Sequence, residues 1–185
     1  MGISLNAEQF SSIPARAYGI KGVKIKVPSN YTPYDPGHCS RGGIDTSRIA
    51  CLAQGDSWTG TQPGDSLYSG PWDGTFKVAW TCNPAWVLYD LCTDTRYGLG
   101  RWLEESNIDK WSLYEIAKYC DGVDTAGDFV GVDAGYTKWV GSPWSSTSTG
   151  SGIMEARFAC NLYLQGAQEA YKVINDIASI FRGMI

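Results

Sequence analysis

Between Gly74 and Gly100 the chain reads GTFKVAWTCNPAWVLYDLCTDTRYGLG, and the repeat of its apolar side chains changes at one dipeptide, Asn83–Pro84. Before it, Phe76, Val78 and Trp80 alternate with Thr75, Lys77 and Ala79, the period of a strand with one buried face. After it, asparagine offers a side-chain oxygen to a free backbone N–H, and proline suits the first helical position, where its missing N–H would have had no partner. A helix is therefore expected from Pro84 to about Cys92, burying Val87, Leu88 and Leu91. Gly98 and Gly100 then close the unit in a tight turn. On this reading Trp80 and Leu88 fill the core, and Trp86 and Trp111 fit helix ends.

The segments on either side supply further elements. In IKGVKIKVPSNY, Val23, Ile25 and Val27 alternate with Lys24 and Lys26, which predicts an opening strand stopped by Pro28. Residues 31 to 71 hold Pro33, Pro36, Pro63, Pro71 and repeated glycine with no sustained period, and read as a long loop with a short helix at 46 to 53. In WSLYEI, Ser112 and Glu115 have capping-box spacing, Trp111 and Ile116 occupy the staple positions, and Leu113, Ile116, Ala117 and Cys120 share a helical face. From Asp121 to Gly152 the chain turns to glycine, serine, threonine and aspartate, a composition expected to form an exposed excursion. Phe158, Cys160, Leu162 and Leu164 alternate with polar or small residues and predict a third strand. A last helix is expected to bury Ala167, Ala170, Tyr171, Ile174, Ile177, Ala178 and Phe181, opposite Gln168, Glu169, Lys172, Asn175, Asp176 and Arg182. The ending FRGMI, with no polar tail, reads as a cut within a longer polypeptide.

These elements imply an α+β class: a small mixed domain over residues 1–185 with about three or more strands and three helices, interrupted by two long irregular loops. Composition excludes several functions. With 43% hydrophobic and 18% charged residues the chain is neither a disordered tail nor a membrane protein, and no apolar run approaches the roughly 20 residues of a spanning helix. A net charge of −4 with dispersed basic residues lacks the footprint of specific nucleic-acid binding. MGISLNAEQF has no basic segment followed by an apolar run and shows no secretory signal.

Catalytic and metal chemistry find little support. The one histidine, His38, has no evident orienting partner for a nucleophile, and with Cys39 it supplies too few ligands for zinc. Six cysteines contain no CxxC spacing; Cys39 and Cys51 bracket a glycine-rich loop and would join in an oxidising compartment. Glu104 and Glu105, with the cluster Asp121, Asp124, Asp128 and Asp133, are the residues a two-acid glycosidase would use, although adjacent acids at a helix end are ordinarily solvated surface. The aspartate spacing does not match a calcium loop, and GLG at 98 to 100 lacks the order of a dinucleotide fingerprint. NYT at 30 to 32 matches a glycosylation sequon, which matters only in a secretory setting. No catalytic, cofactor-binding or metal residue is therefore assigned, and no cofactor. Among the eight tryptophans, Trp58, Trp72, Trp139 and Trp144 lie in loop-like segments; they are either contact surface, as in a carbohydrate-binding module, or pins that hold loops on the domain.

Five phrases taken in order carry a family resemblance: AEQFSSIPARAY, IKGVKIKVPSNYTP, WDGTFKVAWTCNPAWVLYDLCTDTRYGLG, WSLYEIAKYCD and EARFACNLYLQGAQEAYKVINDIASIFRGM. Together they resemble the hub region of the tail-tip host-specificity protein of lambda-like long-tailed bacteriophages, from about Ala7 to the end. Interruptions fall near residues 36–67 and 122–153. The resemblance implies a much longer protein, a homotrimer at the distal end of the tail tube that closes the tube, joins it to the receptor-binding fibre and rearranges for DNA ejection. It implies other tail proteins as partners, the host surface receptor only indirectly, and a place in the virion after assembly in the host cytoplasm. The family often has an acidic residue where Cys82 stands, and usually shorter links where this chain has its two loops.

Overall fold

The computed structural model describes residues 22–40, 51, 55–133, 154–162 and 170–182. In chain order the elements are β1 (Ile25–Pro28), β2 (His38–Cys39), β3 (Trp58–Thr59), β4 (Phe76–Ala79), α1 (Pro84–Thr93), a 3₁₀ turn (Glu105–Asn107), α2 (Lys110–Asp121), β5 (Val132–Asp133), β6 (Met154–Glu155) and α3 (Ala170–Ile180). The strands form three antiparallel pairs, β1 with β4, β2 with β3 and β5 with β6. Among the described residues the fold is of mixed α+β class, with three helices and short strands, as the periodicities predict.

In β1, Val27 is wholly buried and Ile25 half-buried, whereas Val23 precedes the strand and is exposed. Lys26 N–H donates to Asp90 Oδ1 at 3.1 Å, so α1 closes the strand edge that β4 does not pair. On β4 the expected face breaks at its middle residue. Phe76 stacks on Tyr89 of α1 with ring centroids 4.8 Å apart, and Trp80 is half-buried against the core, but Val78 is 65% exposed. Opposite Val78 stands Lys26, whose ammonium turns outward to Glu105. A sheet two strands wide has no neighbouring strand to complete a covered face there.

The start of α1 follows the sequence closely. Asn83 accepts the Ala85 N–H at 3.0 Å and Pro84 opens the helix. Asn83 also donates to Ala117 O at 2.9 Å, so one side chain caps α1 and ties it to α2. The buried face differs from expectation: Ala85, Trp86, Tyr89 and Thr93 are enclosed, while Val87, Leu88 and Leu91 are half-buried. The reason is that α1 is covered on two sides. Trp86, in the first turn of the helix as expected and fully buried, lies in the main cluster, and Val87, Leu88 and Leu91 meet Cys160, Val173, Ile177 and Ile180 in a second cluster. The reversal after α1 is tight, since a methyl group at Gly98 would sit 2.1 Å from Leu91 O, and one at Gly100 would sit 2.2 Å from Thr93 O.

Helix α2 begins at Lys110, earlier than the Ser112 capping box requires. Asp109 accepts the N–H groups of Trp111 and Ser112 and also receives the Ser112 hydroxyl, so Ser112 is inside the first turn. A carboxylate three residues ahead outcompetes the serine as cap, and Trp111, half exposed, lies within the first turn and rests against Trp72. Leu113, Ala117 and Cys120 are buried as expected, with Ile116 packed beside them. Gly122, in the left-handed conformation, ends the helix.

Nearly half of the main core comes from backbone that has no period. Tyr31, Tyr34, Leu67, Tyr68, Trp72 and Phe129 are all buried, although they come from stretches read as loops. Single bridges tie Tyr31 to Tyr68 and Ser66 to Asp128. Gly127, at φ +93°, lies so close to Tyr68 that a methyl group would be 2.3 Å from its carbonyl oxygen. In the described parts of 36–67 and 122–153, Leu67 and Phe129 reach the main core, while residues 63–66 and 124–126 are exposed. The short helix expected at 46–53 lies outside the described residues except for Cys51.

The third strand expected at 158–164 is absent from its described part, 158–162. Phe158 N–H reaches Cys120 O and Cys160 N–H reaches Cys82 O, single ties to two different segments rather than a ladder. The strand partner of β5 is instead Met154–Glu155. In α3 the enclosed residues are Val173, Ile177 and Ala178, while Tyr171 is exposed and Ile174 and Phe181 are half-buried. A helix resting mainly on α1 uses a narrower stripe than the apolar pattern offers. Leu164 and Ala167 lie outside the described residues.

Candidate functional site

The candidate acids do not converge. Glu104 closes the 3₁₀ turn, its N–H donating to Asn107 Oδ1, and Glu105 pairs with Lys26. The Asp124 carboxylate accepts three successive N–H groups, from Ala126, Gly127 and Asp128, and so builds a turn. Asp128 bridges to Ser66. Asp133 lies in β5, and its side chain is outside the described set. His38 is exposed, and its neighbour Cys39 is joined to Cys51 by a disulfide. Among the described residues no group of three histidines, cysteines, aspartates or glutamates is placed to hold a metal. Asn30 of the NYT sequence donates to Gly70 O and to the Tyr114 hydroxyl, so its amide serves the fold.

Asp121 is the exception among the acids, because it is 1% exposed. It accepts the Tyr68 hydroxyl at 2.7 Å. Burial pushes its carboxyl up to about 6 from an ordinary value of 3.8, and hydrogen bonds from Tyr68, Asn83 and Tyr31 act in the opposite direction. Around it, Tyr31 and Thr81 share a hydroxyl hydrogen bond, and Thr81 accepts the Asn83 N–H. This buried network joins the irregular 31–68 region to the start of α1 and the end of α2. Burial also pushes the Cys82 thiol to about 11 and the Cys120 thiol to about 12, which keeps both protonated and unreactive near neutrality.

The tryptophans divide. Trp72 is buried, stacked on Tyr114 with centroids 5.0 Å apart and edge-on to Trp86, so it pins its loop to the core. Trp139 and Trp144 lie outside the described residues. Trp58, half-buried on β3, joins Tyr34 and Trp80 around a cavity of about 230 Å³, with Cys82, Glu155 and Asn161 also in its lining. Sequence reasoning singled out Trp58 but missed Tyr34 and Glu155, because loop turns and the β5–β6 pairing bring them together from distant positions. No described helix is long and apolar enough to cross a membrane.

Hydrogen bonds, thiols and acids thus serve packing, and among the described residues Tyr34, Trp58 and Trp80 line an aromatic cavity. No family model matches the chain. The chain resembles bacteriophage tail-tip attachment proteins over nearly its whole length. Tip attachment protein J of Escherichia phage SECphi4 is 31% identical over 182 residues, 98% of the chain. Tip attachment protein J of Escherichia phage SECphi27 is 45% identical over 117 residues, 63% of the chain. The chain spans only about a tenth of the length of these relatives, 11% and 8% respectively.

Proposed function

We propose that this chain is a non-enzymatic structural module of a phage tail tip, a single hub-type domain that helps close the tail tube and link it to the receptor-binding fibre. Similarity to one tip attachment protein across 98% of the chain is the observation that carries this reading. The internal use of Asp121, Asn83 and Trp72 supports it, because these polar and aromatic side chains are committed to holding elements together. In this reading the full-length protein is a homotrimer within the virion, assembled in the host cytoplasm, that contacts other tail proteins directly and the host receptor only through the fibre.

Immunogold labelling of purified virions with an antibody raised against this chain tests the proposal. Gold at the distal end of the tail is expected; gold along the tail shaft, on the capsid or absent from particles would overturn it. Mass measurement of the chain alone and of the full-length protein then separates assembly contacts inside the module from those outside. A carbohydrate-binding module loses Trp72 to the core and rests on Trp58 alone among the described loop tryptophans.

A further inference from the structure

Asp35 and Thr61 exchange two hydrogen bonds, Asp35 N–H to Thr61 Oγ1 and Thr61 N–H to Asp35 O, each at 2.9 Å. Beyond that root the chain forms a small lobe. Its arms are β2 and β3, two residues each, extended by Ser40 N–H donating to Ser57 O and Asp56 N–H donating to Cys51 O. The arms meet glycine on glycine, since a methyl group at Gly60 would be 2.5 Å from the Gly37 Cα. Among the described residues from 36 to 60 only Cys39 and Cys51 are buried, and neither belongs to the two hydrophobic clusters. The disulfide that joins them is therefore what the lobe has for an interior. Two short strands are marginal by themselves in water, and a unit with so little apolar core needs a cross-link to hold it.

We propose that this lobe is a redox latch: it is folded when Cys39 and Cys51 are joined and open when they are thiols, while the domain that carries it stays folded in both states. The domain is independent because its main cluster draws no residue from 35 to 60. The bridge spans a separation of 12 residues, and a cross-link of that reach favours the closed lobe by roughly a hundredfold. Closure consumes a small-molecule disulfide of the glutathione class. One cysteine thiolate attacks it, giving a mixed disulfide and one released thiol; the second cysteine then displaces the other thiol. The protein loses two electrons, and its two thiol protons leave with the released thiols. Both half-cystines are enclosed, Cys51 completely, so exchange in either direction passes through the open lobe. Burial raises the thiols of Cys82, Cys92, Cys120 and Cys160, which keeps little thiolate there to compete near neutrality. The timing of closure rests on the tail-tip reading: open in the reducing host cytoplasm during assembly, closed once particles are released.

The test records NMR spectra of the ¹⁵N-labelled chain in oxidised and in reduced glutathione, with free thiols counted by alkylation and mass spectrometry. Oxidised, the chain should show four free thiols and dispersed signals for Gly37, Gly60 and the Trp58 indole, whose Nε1 lies against Gly37. Reduced, it should show all six thiols, with those signals at random-coil positions and those of Tyr31, Tyr68 and Trp86 unmoved. The double variant Cys39→Ser, Cys51→Ser should resemble the reduced chain in both buffers, and proteolysis within 37–60 should be roughly a hundredfold faster than in the oxidised chain. An ordered lobe with six free thiols overturns the proposal, as do six thiols in the oxidising buffer, or core signals lost together with the bridge. The double variant needs no reductant, so it decides the matter even if the reduced chain precipitates. Alkylation of infected-cell extracts and of purified virions checks the timing, with thiols expected in the first and the bridge in the second; the same state in both overturns it. A chain absent from virions sinks the tail-tip reading instead, and the spectra of the isolated chain still decide the latch.

Discussion

Helix α1 gives three enclosed side chains to the main core and the irregular region from Tyr31 to Trp72 gives five, yet it is the smaller contribution that the sequence states openly. The helix repeats its apolar residues at three and four positions and opens with Asn83–Pro84, so both its existence and its first residue can be read locally. The irregular region places Tyr31, Tyr34, Leu67, Tyr68 and Trp72 in the interior through separate turns and single bridges. A periodic element announces burial because one backbone geometry repeats; a loop buries each residue by a different long-range contact. Absence of period therefore says nothing about absence of core.

The strongest test of that comparison pairs Trp86→Ala with Trp72→Ala. Each should cost about 3–5 kcal/mol, the usual range for deleting a buried large aromatic side chain. Chemical denaturation measures both, and a Trp72→Ala loss far smaller than that of Trp86→Ala would show that the loop merely drapes over the helix.

Asp121 joins the two regions and makes their union sensitive to pH. Its folded carboxyl titrates near 6, above the ordinary 3.8, so the folded chain binds more protons than the unfolded chain between those values. Its contribution is complete below about 3.8 and is lost as pH rises through about 6. On the order of 3 kcal/mol should separate the two ends. The difference in unfolding free energy between wild type and Asp121→Asn, measured from pH 4 to pH 8, should carry this slope; a flat difference would remove Asp121 as the titrating junction.

Asn83→Ala sharpens the comparison further. An ordinary cap is worth about 1 kcal/mol, but this substitution also strips Ala117 O of its buried donor, so a loss of about 2 kcal/mol is expected. A melting curve unchanged from wild type would refute both roles. The smallest effect belongs to Val78→Thr. Because Val78 is exposed opposite Lys26, the change should stay within about 0.5 kcal/mol. A loss comparable to that of a core residue would restore the continuous buried face that the alternation predicts.

The pattern of legibility follows from these contacts. Asn83, Pro84, Gly98 and Gly100 act within a few residues of themselves, and their roles can be read in sequence. Leu113, Ala117 and Cys120 lie along one stripe and are equally plain, whereas the cap of α2 is misread because Asp109 and Ser112 both satisfy a local rule and only geometry selects between them. Alternation around Cys160 imitates a strand, but its N–H finds Cys82 O without a neighbouring ladder. The cavity was least accessible of all. Only Trp58 carried a local sign of surface contact, and Tyr34 and Glu155 meet through pairings that span more than a hundred positions.

Helix α1 also has a mechanical meaning. It touches β1 through Asp90, α2 through Asn83 at its first turn, and α3 through Val87, Leu88 and Leu91. Asp90 stands between Leu88 and Leu91, so a pull delivered to α3 crosses α1 within a single turn on its way to β1.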